Sequence, residues 1–386
     1  MRRDMPERPL VSVLIPAYNY AHLLPRTLRS VFSQDYRPIE VIVVDDGSTD
    51  ATPELLAATD GIVAVRQTNR GLSAARNEAM CRASGKYLQF VDADDLLGRS
   101  AIGRRVALLE AYPECPAAIC RSALFRRFQL PEPLAWLGRE WRHPFGGRAD
   151  VALRYRNIAP IHAFLVRAQV VRRAGVAFDE TLRAVEDYDF WLRLFDAAGL
   201  PRFVRKGWVY YRQHAGSMSK DMGNQTRHDL LVFQRLYELE SMAREREGRT
   251  RRADQAAALL RGATELAYKL WRWQRGSYDD FVQRYLLELV SEVEQCLNDE
   301  ALGVVGWMAL SAARSALRQS RRHHRAFAHG IDVRIVAALG YERSMMNRAW
   351  RRASRRDCNL LARLAWRDAW DVFARMCHAS GWAVRS

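Results

Sequence analysis

The stretch Ile39-Glu40-Val41-Ile42-Val43-Val44-Asp45-Asp46-Gly47-Ser48-Thr49-Asp50 decides the fold class. Its first six residues are apolar and β-branched but for Glu40, the pattern of a strand covered on both faces at the centre of a parallel sheet. The run then breaks into a Gly turn, with Ser48 or Asp50 placed to cap a following helix. A strand that ends in acceptors and hands over to a helix is the repeating unit of α/β domains.

The same unit recurs on either side. Leu10 to Ile15 reads as a strand closed by Pro16, and Ala21 to Ser33 as a helix with Leu23, Leu24, Leu28 and Val31 inward. Ile62 to Val65 and Lys86 to Val91 read as further strands, with a helix over Ser73 to Ala83 between them. Between Ala117 and Tyr155 the periodicity weakens around Pro131, Pro133, Pro144 and Gly146-Gly147, which predicts a loop-rich insertion. His162 to Val166 and Arg202 to Arg212 then read as strands, and Glu186 to Ala197 as a helix. Beyond about Gly223 the β-runs vanish and Ala, Leu and Arg recur at helical spacing. The expected organisation is an α/β domain over residues 1–224 and an all-helical one over 225–386.

Composition narrows the class. The chain has 386 residues, 49% of them hydrophobic, enough for a substantial core in each of two domains. Its six cysteines show no C-x-x-C spacing, so neither a zinc site nor a disulfide framework is expected. No apolar segment reaches the ~20 residues of a membrane span, and no h-region follows the charged N-terminus. The reading is therefore cytoplasmic. A net charge of +16 implies an anionic partner without naming it.

Chemistry-bearing residues fall at the carboxyl ends of the predicted strands, where open α/β sheets bind ligands. The first strand ends in Pro16-Ala17-Tyr18-Asn19, the second in Asp45-Asp46-Gly47-Ser48, and the strand after Lys86 in Asp92-Ala93-Asp94-Asp95. Asp92 and Asp94, two apart on an extended chain end, can direct oxygens at a hard divalent cation that also holds diphosphate. Asp-rich turns also serve as simple caps, and Asp45 or Asp46 fits either a turn or recognition of a base N–H or ribose hydroxyl.

Taken together, Val13 to Asn19, Val43 to Asp50, Asn69 to Asn77, Phe90 to Asp95, Glu186 to Trp191 and Tyr211 to Ser219 resemble the family 2 glycosyltransferases. The resemblance implies the GT-A fold of the nucleotide-diphospho-sugar transferases, with a mostly parallel central sheet. It implies an inverting enzyme, of the hexosyltransferase type, that moves a sugar from a nucleotide-diphosphate donor to an acceptor hydroxyl. The setting it implies is bacterial cell-surface polysaccharide or glycolipid synthesis. Pro16, Ala17, Tyr18 and Asn19 would line the nucleotide pocket with Ala93, Asp45 or Asp46 would hold the base, and Arg76 would approach the base or diphosphate. Asp92 would contact ribose and metal, Asp94 would ligate Mg²⁺ or Mn²⁺ directly, and His214 would complete the metal site. Asp187 would be the general base, with Glu186 and Trp191 on the acceptor side. Residues after 219 lie outside the resemblance.

The lack of G-x-G-x-x-G and of G-x-x-x-x-G-K-[ST] disfavours dinucleotide and P-loop enzymes. Two other readings stay open: a nucleotidyltransferase, and a non-catalytic nucleotide- or sugar-binding scaffold. Toward the C-terminus, Arg314, Arg318, Arg321, Arg322 and Arg325, and again Arg348, Arg351, Arg352, Arg355 and Arg356, recur at spacings that share a helix face. Such a face fits the solvated side of a bundle, or peripheral contact with the anionic inner face of the cytoplasmic membrane. No nucleic-acid-binding module is recognisable, so nucleic acid is not an expected partner.

Overall fold

The computed structural model of the chain describes residues 8–125, 153, 157–213 and 222–247. All of them fall within the unit formed by residues 1–249. The strands are β1 (Val11–Ala17), β2 (Ile39–Asp45), β3 (Val63–Arg66), β4 (Tyr87–Phe90), β5 (Leu96–Leu97), β6 (Ala117–Phe125), β7 (Phe164–Arg167) and β8 (Arg202–Arg212). The helices are α1 (Leu24–Phe32), α2 (Thr52–Ala57), α3 (Leu72–Arg82), α4 (Ala101–Ala111), α5 (Ala168–Ala174), α6 (Glu186–Ala198) and α7 (Met222–Glu247).

The strands form one mixed, mostly parallel sheet in the order β3-β2-β1-β4-β7-β6-β8-β5. β1 lies parallel to both β2 and β4, so the direction of winding reverses at β1. Every residue of β1 is buried, as the continuous apolar run requires of a strand with layers on both faces. Its two ladders have different lengths: β1 pairs β2 as far as Ala17 with Asp45, but β4 only as far as Leu14 with Phe90. Beyond Val91, whose N–H still reaches the Leu14 carbonyl at 3.0 Å, the β4 chain turns away. Pro16 and Ala17 are thereby left without a strand on that side, which opens a crevice at the switch point.

Helix faces match their patterns. α1 buries Leu24, Thr27, Leu28 and Val31, one stripe of an amphipathic helix that starts with Pro25 in its first turn. α3 buries Ala74, Ala75 and Ala79, and this small-residue face lets the helix approach β1 and β2 closely. α6 carries Phe190, Trp191, Leu194 and Phe195 into the core, each contributing about 1.5–3 kcal/mol by burial.

One expectation changes here. The start of the predicted loop-rich insertion is strand β6, with Ala117, Ala118, Ile119 and Cys120 buried between β7 and β8. Small alanines carry little β-preference, and pairing on both sides supplies what propensity does not. The remainder of that insertion, the Tyr211 to Ser219 block beyond Gln213, and nearly all of the predicted helical domain lie outside the described residues. Among the described residues, no helix is long and apolar enough to cross a membrane.

Candidate functional site

The crevice at the end of β1 holds a cavity of about 470 Å³. Pro16, Ala17 and Tyr18 supply the β1 side, Asp46 the β2 side, Asp92, Ala93 and Asp94 the β4 side, and Glu186 the start of α6. Tyr20, Asn69, Gly71, Leu72, Ala75, Leu182, Arg183, Tyr211 and Arg212 complete the lining.

The β2 end is a tightly tied turn. Asp45 is buried, and its Oδ1 accepts from the Ser48 N–H at 2.9 Å, with Arg66 at 3.6 Å from the other oxygen. Asp46 reaches the cavity wall, and its carboxylate accepts from Gln67 Nε2 (2.7 Å), Arg70 N–H (2.9 Å) and Gly71 N–H (2.8 Å). Gly47 and Gly71 make this possible. Both have positive φ, and a Cβ on Gly47 would stand 2.8 Å from the Asn69 backbone nitrogen. Asn19, itself at φ 59°, accepts through Oδ1 from the N–H groups of Thr49 (2.8 Å) and Asp50 (3.2 Å), lashing the β1 end to the β2 turn.

The β4 end gathers acidic groups. Asp92 pairs with Arg76 at 2.7 Å, and the other arm of Arg76 pairs with Glu186 at 2.6 Å. Arg76 is 1% exposed, and burial alone would favour its neutral form; the Asp92 and Glu186 carboxylates instead hold its pKa above the ordinary arginine range. Asp94 is pushed up to about 8 by burial and then by the carboxylates of Asp95 and Asp92. Asp95 fastens the far wall: its Oδ1 accepts the Arg212 N–H at 2.7 Å and its Oδ2 faces His162 Nδ1 at 2.9 Å. Arg212 Nε in turn donates to the Asp94 carbonyl at 2.8 Å.

α6 begins under strain. Val185, just before it, sits at φ 53°, a conformation a β-branched side chain adopts only when its surroundings hold it there. The first turn then presents Glu186 to the cavity and Asp187 beside it. Asp187 Oδ2 accepts from the Asn157 amide at 2.9 Å. Burial and the Glu186 carboxylate push its pKa up to about 7, against the pull of Arg76 and of the Asn157 hydrogen bond. A carboxylate so poised is half ionised near neutral pH, the condition that suits a general base.

The sequence expectations sort as follows. Pro16, Ala17, Tyr18, Asp46, Asp92, Ala93, Asp94 and Glu186 meet on one cavity; Asp187 follows Glu186 in the first turn of α6 but does not itself line the cavity. Trp191 needs correction: it is fully buried, stacked on Phe164 with ring centroids 4.1 Å apart, so it is core and offers no face to a sugar. Arg76 also needs correction, because both its terminal nitrogens are taken by carboxylates and it does not line the cavity; it holds Asp92 and Glu186 rather than a diphosphate. Asp45 and Asn19 build the turn and stay off the cavity wall. His214 lies outside the described residues. Among the described residues no group of three or more His, Cys, Asp or Glu converges on a metal position. Arg183, Arg212 and Asn157 were missed as site residues. Arg212 stood inside a block already quoted, whereas Arg183 and Asn157 carry no local signal.

Comparison with known proteins agrees with this architecture. Residues 12–173 match the family model described as Glycosyl transferase family 2. Over 219 residues, 55% of this chain and 63% of the relative, the chain is 30% identical to the uncharacterized glycosyltransferase EpsJ of Bacillus subtilis. Over 213 residues, 54% of this chain and 80% of the relative, it is 29% identical to an Escherichia coli protein named UDP-Glc:alpha-D-GlcNAc-diphosphoundecaprenol beta-1,3-glucosyltransferase WfaP. The match thus spans just under two thirds of EpsJ. Among solved structures, S. aureus TarS 1–349 in complex with UDP-GlcNAc superposes with a TM-score of 0.53 at 18% identity, covering 87% of this chain and 91% of that one. Residues 12–173 thus carry the match to glycosyl transferase family 2, and the α/β unit that holds the cavity has the GT-A fold.

Proposed function

We propose that the chain transfers a sugar from a nucleotide-diphosphate donor to an acceptor hydroxyl, with inversion at the anomeric carbon, in the synthesis of a bacterial surface glycan or glycolipid. The observation that carries this reading is the cavity at the β1/β4 switch point, walled by Asp92, Asp94 and Glu186, with Asp187 next in the first turn of α6. Its volume suits a nucleotide sugar. The names of WfaP and of the TarS complex, which specify uridine-diphosphate sugars for those proteins, support the donor class. The WfaP name also specifies a lipid-diphosphate-linked acceptor, the class proposed here.

In this reading Tyr18, 44% exposed, offers a ring face to the base at the cavity rim. Asp46 and the Gly71 turn bound the base end, and Arg183 and Arg212 place positive charge on the wall facing the diphosphate. Asp187 takes the proton from the acceptor hydroxyl as that oxygen attacks the anomeric carbon, while Glu186, fixed by Arg76, orients the acceptor.

The residues also fit a divalent cation. Mg²⁺ and Mn²⁺ favour oxygen donors and settle for one or two carboxylates when phosphates share the shell. Burial, and then the crowding of Asp94 by Asp95 and Asp92, raise the Asp94 pKa, and a bound cation would relieve the crowding. Asp92 and Asp94 would hold it, with His214 proposed as a further ligand; it would offset charge on the departing diphosphate.

Transfer from a panel of UDP-, GDP- and dTDP-sugars to a lipid-diphosphate-linked sugar tests the function. Acceptor-dependent release of nucleoside diphosphate is the expected result, and no release from any donor would overturn it. A non-catalytic scaffold or a nucleotidyltransferase gains no support from the family match.

The expected division at residues 224 and 225 is kept for the chain beyond α7, since α7 itself lies in the unit formed by residues 1–249. Peripheral association with the inner face of the cytoplasmic membrane through the arginine faces beyond residue 313 is part of the proposal. Sedimentation with phosphatidylglycerol vesicles should show binding that weakens as salt rises. Binding equal to that with neutral vesicles would remove this element.

A further inference from the structure

Helix α7 lies wholly outside the residues that match the family, yet it is packed into the catalytic domain. It buries Thr226, Val232, Phe233 and Leu236, and Val232 with Leu236 forms an i, i+4 seam. Arg235 stands beside that seam and reaches two separate segments. One arm donates to Asp189 Oδ1 in α6 at 2.9 Å, and the other pairs with Asp179 Oδ2 in the segment before α6. Eleven residues earlier on the same helix, Asn224 donates its amide to the Arg183 carbonyl at 3.3 Å.

These anchor points share a destination. Asp179 opens the segment that delivers Leu182 and Arg183 to the cavity wall. Asp189 sits in the first turn of α6, one residue pair beyond Glu186 and Asp187, and its backbone N–H bonds the carbonyl of strained Val185 at 3.2 Å. A strained junction persists only where its neighbours over-determine it. Asp189 is 1% exposed and would be costly without cations; Arg193 and Arg235 both supply charge to it.

We propose that α7 is a brace for the cavity: through Arg235 and Asn224 it holds the Asp179–Arg183 wall segment and the first turn of α6 in one register. Arg235 is then a positioning residue, acting on donor binding through Leu182 and Arg183 and on the base through the Val185 junction. α3, through Asn77 to Phe178, and the turn before it, through Arg70 to Glu180, hold the same wall from the other side, so the wall should loosen rather than unfold when the brace is removed. The proposal deepens the glycosyltransferase reading, and its ligand-binding arm rests on that reading.

The test compares the full chain with Arg235→Met, which keeps the aliphatic stem, Arg235→Lys, which can serve one carboxylate but not fork across two, and Leu109→Ala in α4 as a core variant of general destabilisation. Amide hydrogen exchange is followed peptide by peptide, and binding of UDP, GDP, CDP and dTDP with Mn²⁺ is measured by calorimetry. Arg235→Met should speed exchange at residues 179–189 while leaving β1, β2 and β4 protected, with Arg235→Lys intermediate. It should weaken the best-bound nucleotide by about tenfold, because the wall that carries Leu182 and Arg183 is no longer held in register. Leu109→Ala should produce neither localised effect. Unchanged exchange at 179–189 in Arg235→Met, or equal acceleration across the sheet, overturns the brace. Failure of the wild-type chain to bind any nucleotide would instead count against the functional reading, and the exchange data would still decide the brace.

Discussion

Asp187→Asn should lower sugar transfer by about the 10²–10⁴-fold typical of losing a general base, while donor affinity stays near wild type. The substitution keeps the shape of the side chain and an oxygen for the Asn157 amide, which donates to Asp187 Oδ2 at 2.9 Å. What it removes is the ionisable oxygen. Calorimetry of the nucleotide and the transfer rate, measured on the same preparation, separate the two roles. Near wild-type transfer would pass the role to another group, with Glu186 first in line because it lines the cavity. Loss of both binding and transfer would mark Asp187 as a structural element of the strained α6 start. The pH profile adds an independent check. With the Asp187 pKa raised to about 7, the ionised, basic form grows as pH rises through that value. Transfer by the wild type should therefore climb with pH around neutrality and level off above it, and the residual rate of Asp187→Asn should lose that limb.

Asp94→Ala should abolish the dependence of nucleotide binding on Mn²⁺ and leave affinity at least about tenfold weaker, because a cation held by a single remaining carboxylate has lost much of its charge-assisted anchoring. The carboxyl of Asp94 is raised to about 8, so in the absence of metal it is largely protonated at neutral pH. Metal must displace that proton. Binding of Mn²⁺ with nucleotide should accordingly release protons near pH 7, measurable as a buffer-dependent heat, and the release should vanish in Asp94→Ala. Wild-type affinity for the nucleotide in Asp94→Ala with Mn²⁺ would remove Asp94 from the metal site.

The parts of the fold that were legible are those whose residues are selected by burial alone. β1 and β2 are covered on both faces, so their sequences are nearly continuous apolar runs and can be read without partners. β6 could not be read that way: Ala117, Ala118 and Cys120 are as buried as any residue in β1, but their strand state comes from β7 and β8 pairing on either side. The site follows the same division. The carboxyl ends of β1, β2 and β4 were placed together by the order of blocks along the chain, and Pro16, Asp46, Asp92 and Asp94 do share a cavity.

What a sequence hides is which partner a polar side chain meets. Arg76 stands in a block that suggested a ligand contact, but its two carboxylates come from residues 16 and 110 positions away and leave neither arm for the cavity. Trp191 lies four residues after Asp187, a spacing that suggested a shared face. The neighbouring rings of Phe164, Phe190 and Phe195 claim it for the core instead. Arg235 had no motif at all, and only the packing of α7 brings it to Asp179 and Asp189.

The central claim is that the cavity between β1, β4 and α6 binds the nucleoside diphosphate of a sugar donor together with a divalent cation. Calorimetric titration of the full chain with UDP, GDP, CDP and dTDP, each with and without Mn²⁺, tests it most directly. The account predicts saturable one-to-one binding of at least one nucleoside diphosphate with Mn²⁺, and binding at least about tenfold weaker without it. No binding of any of them at millimolar concentration, with or without the metal, would contradict it.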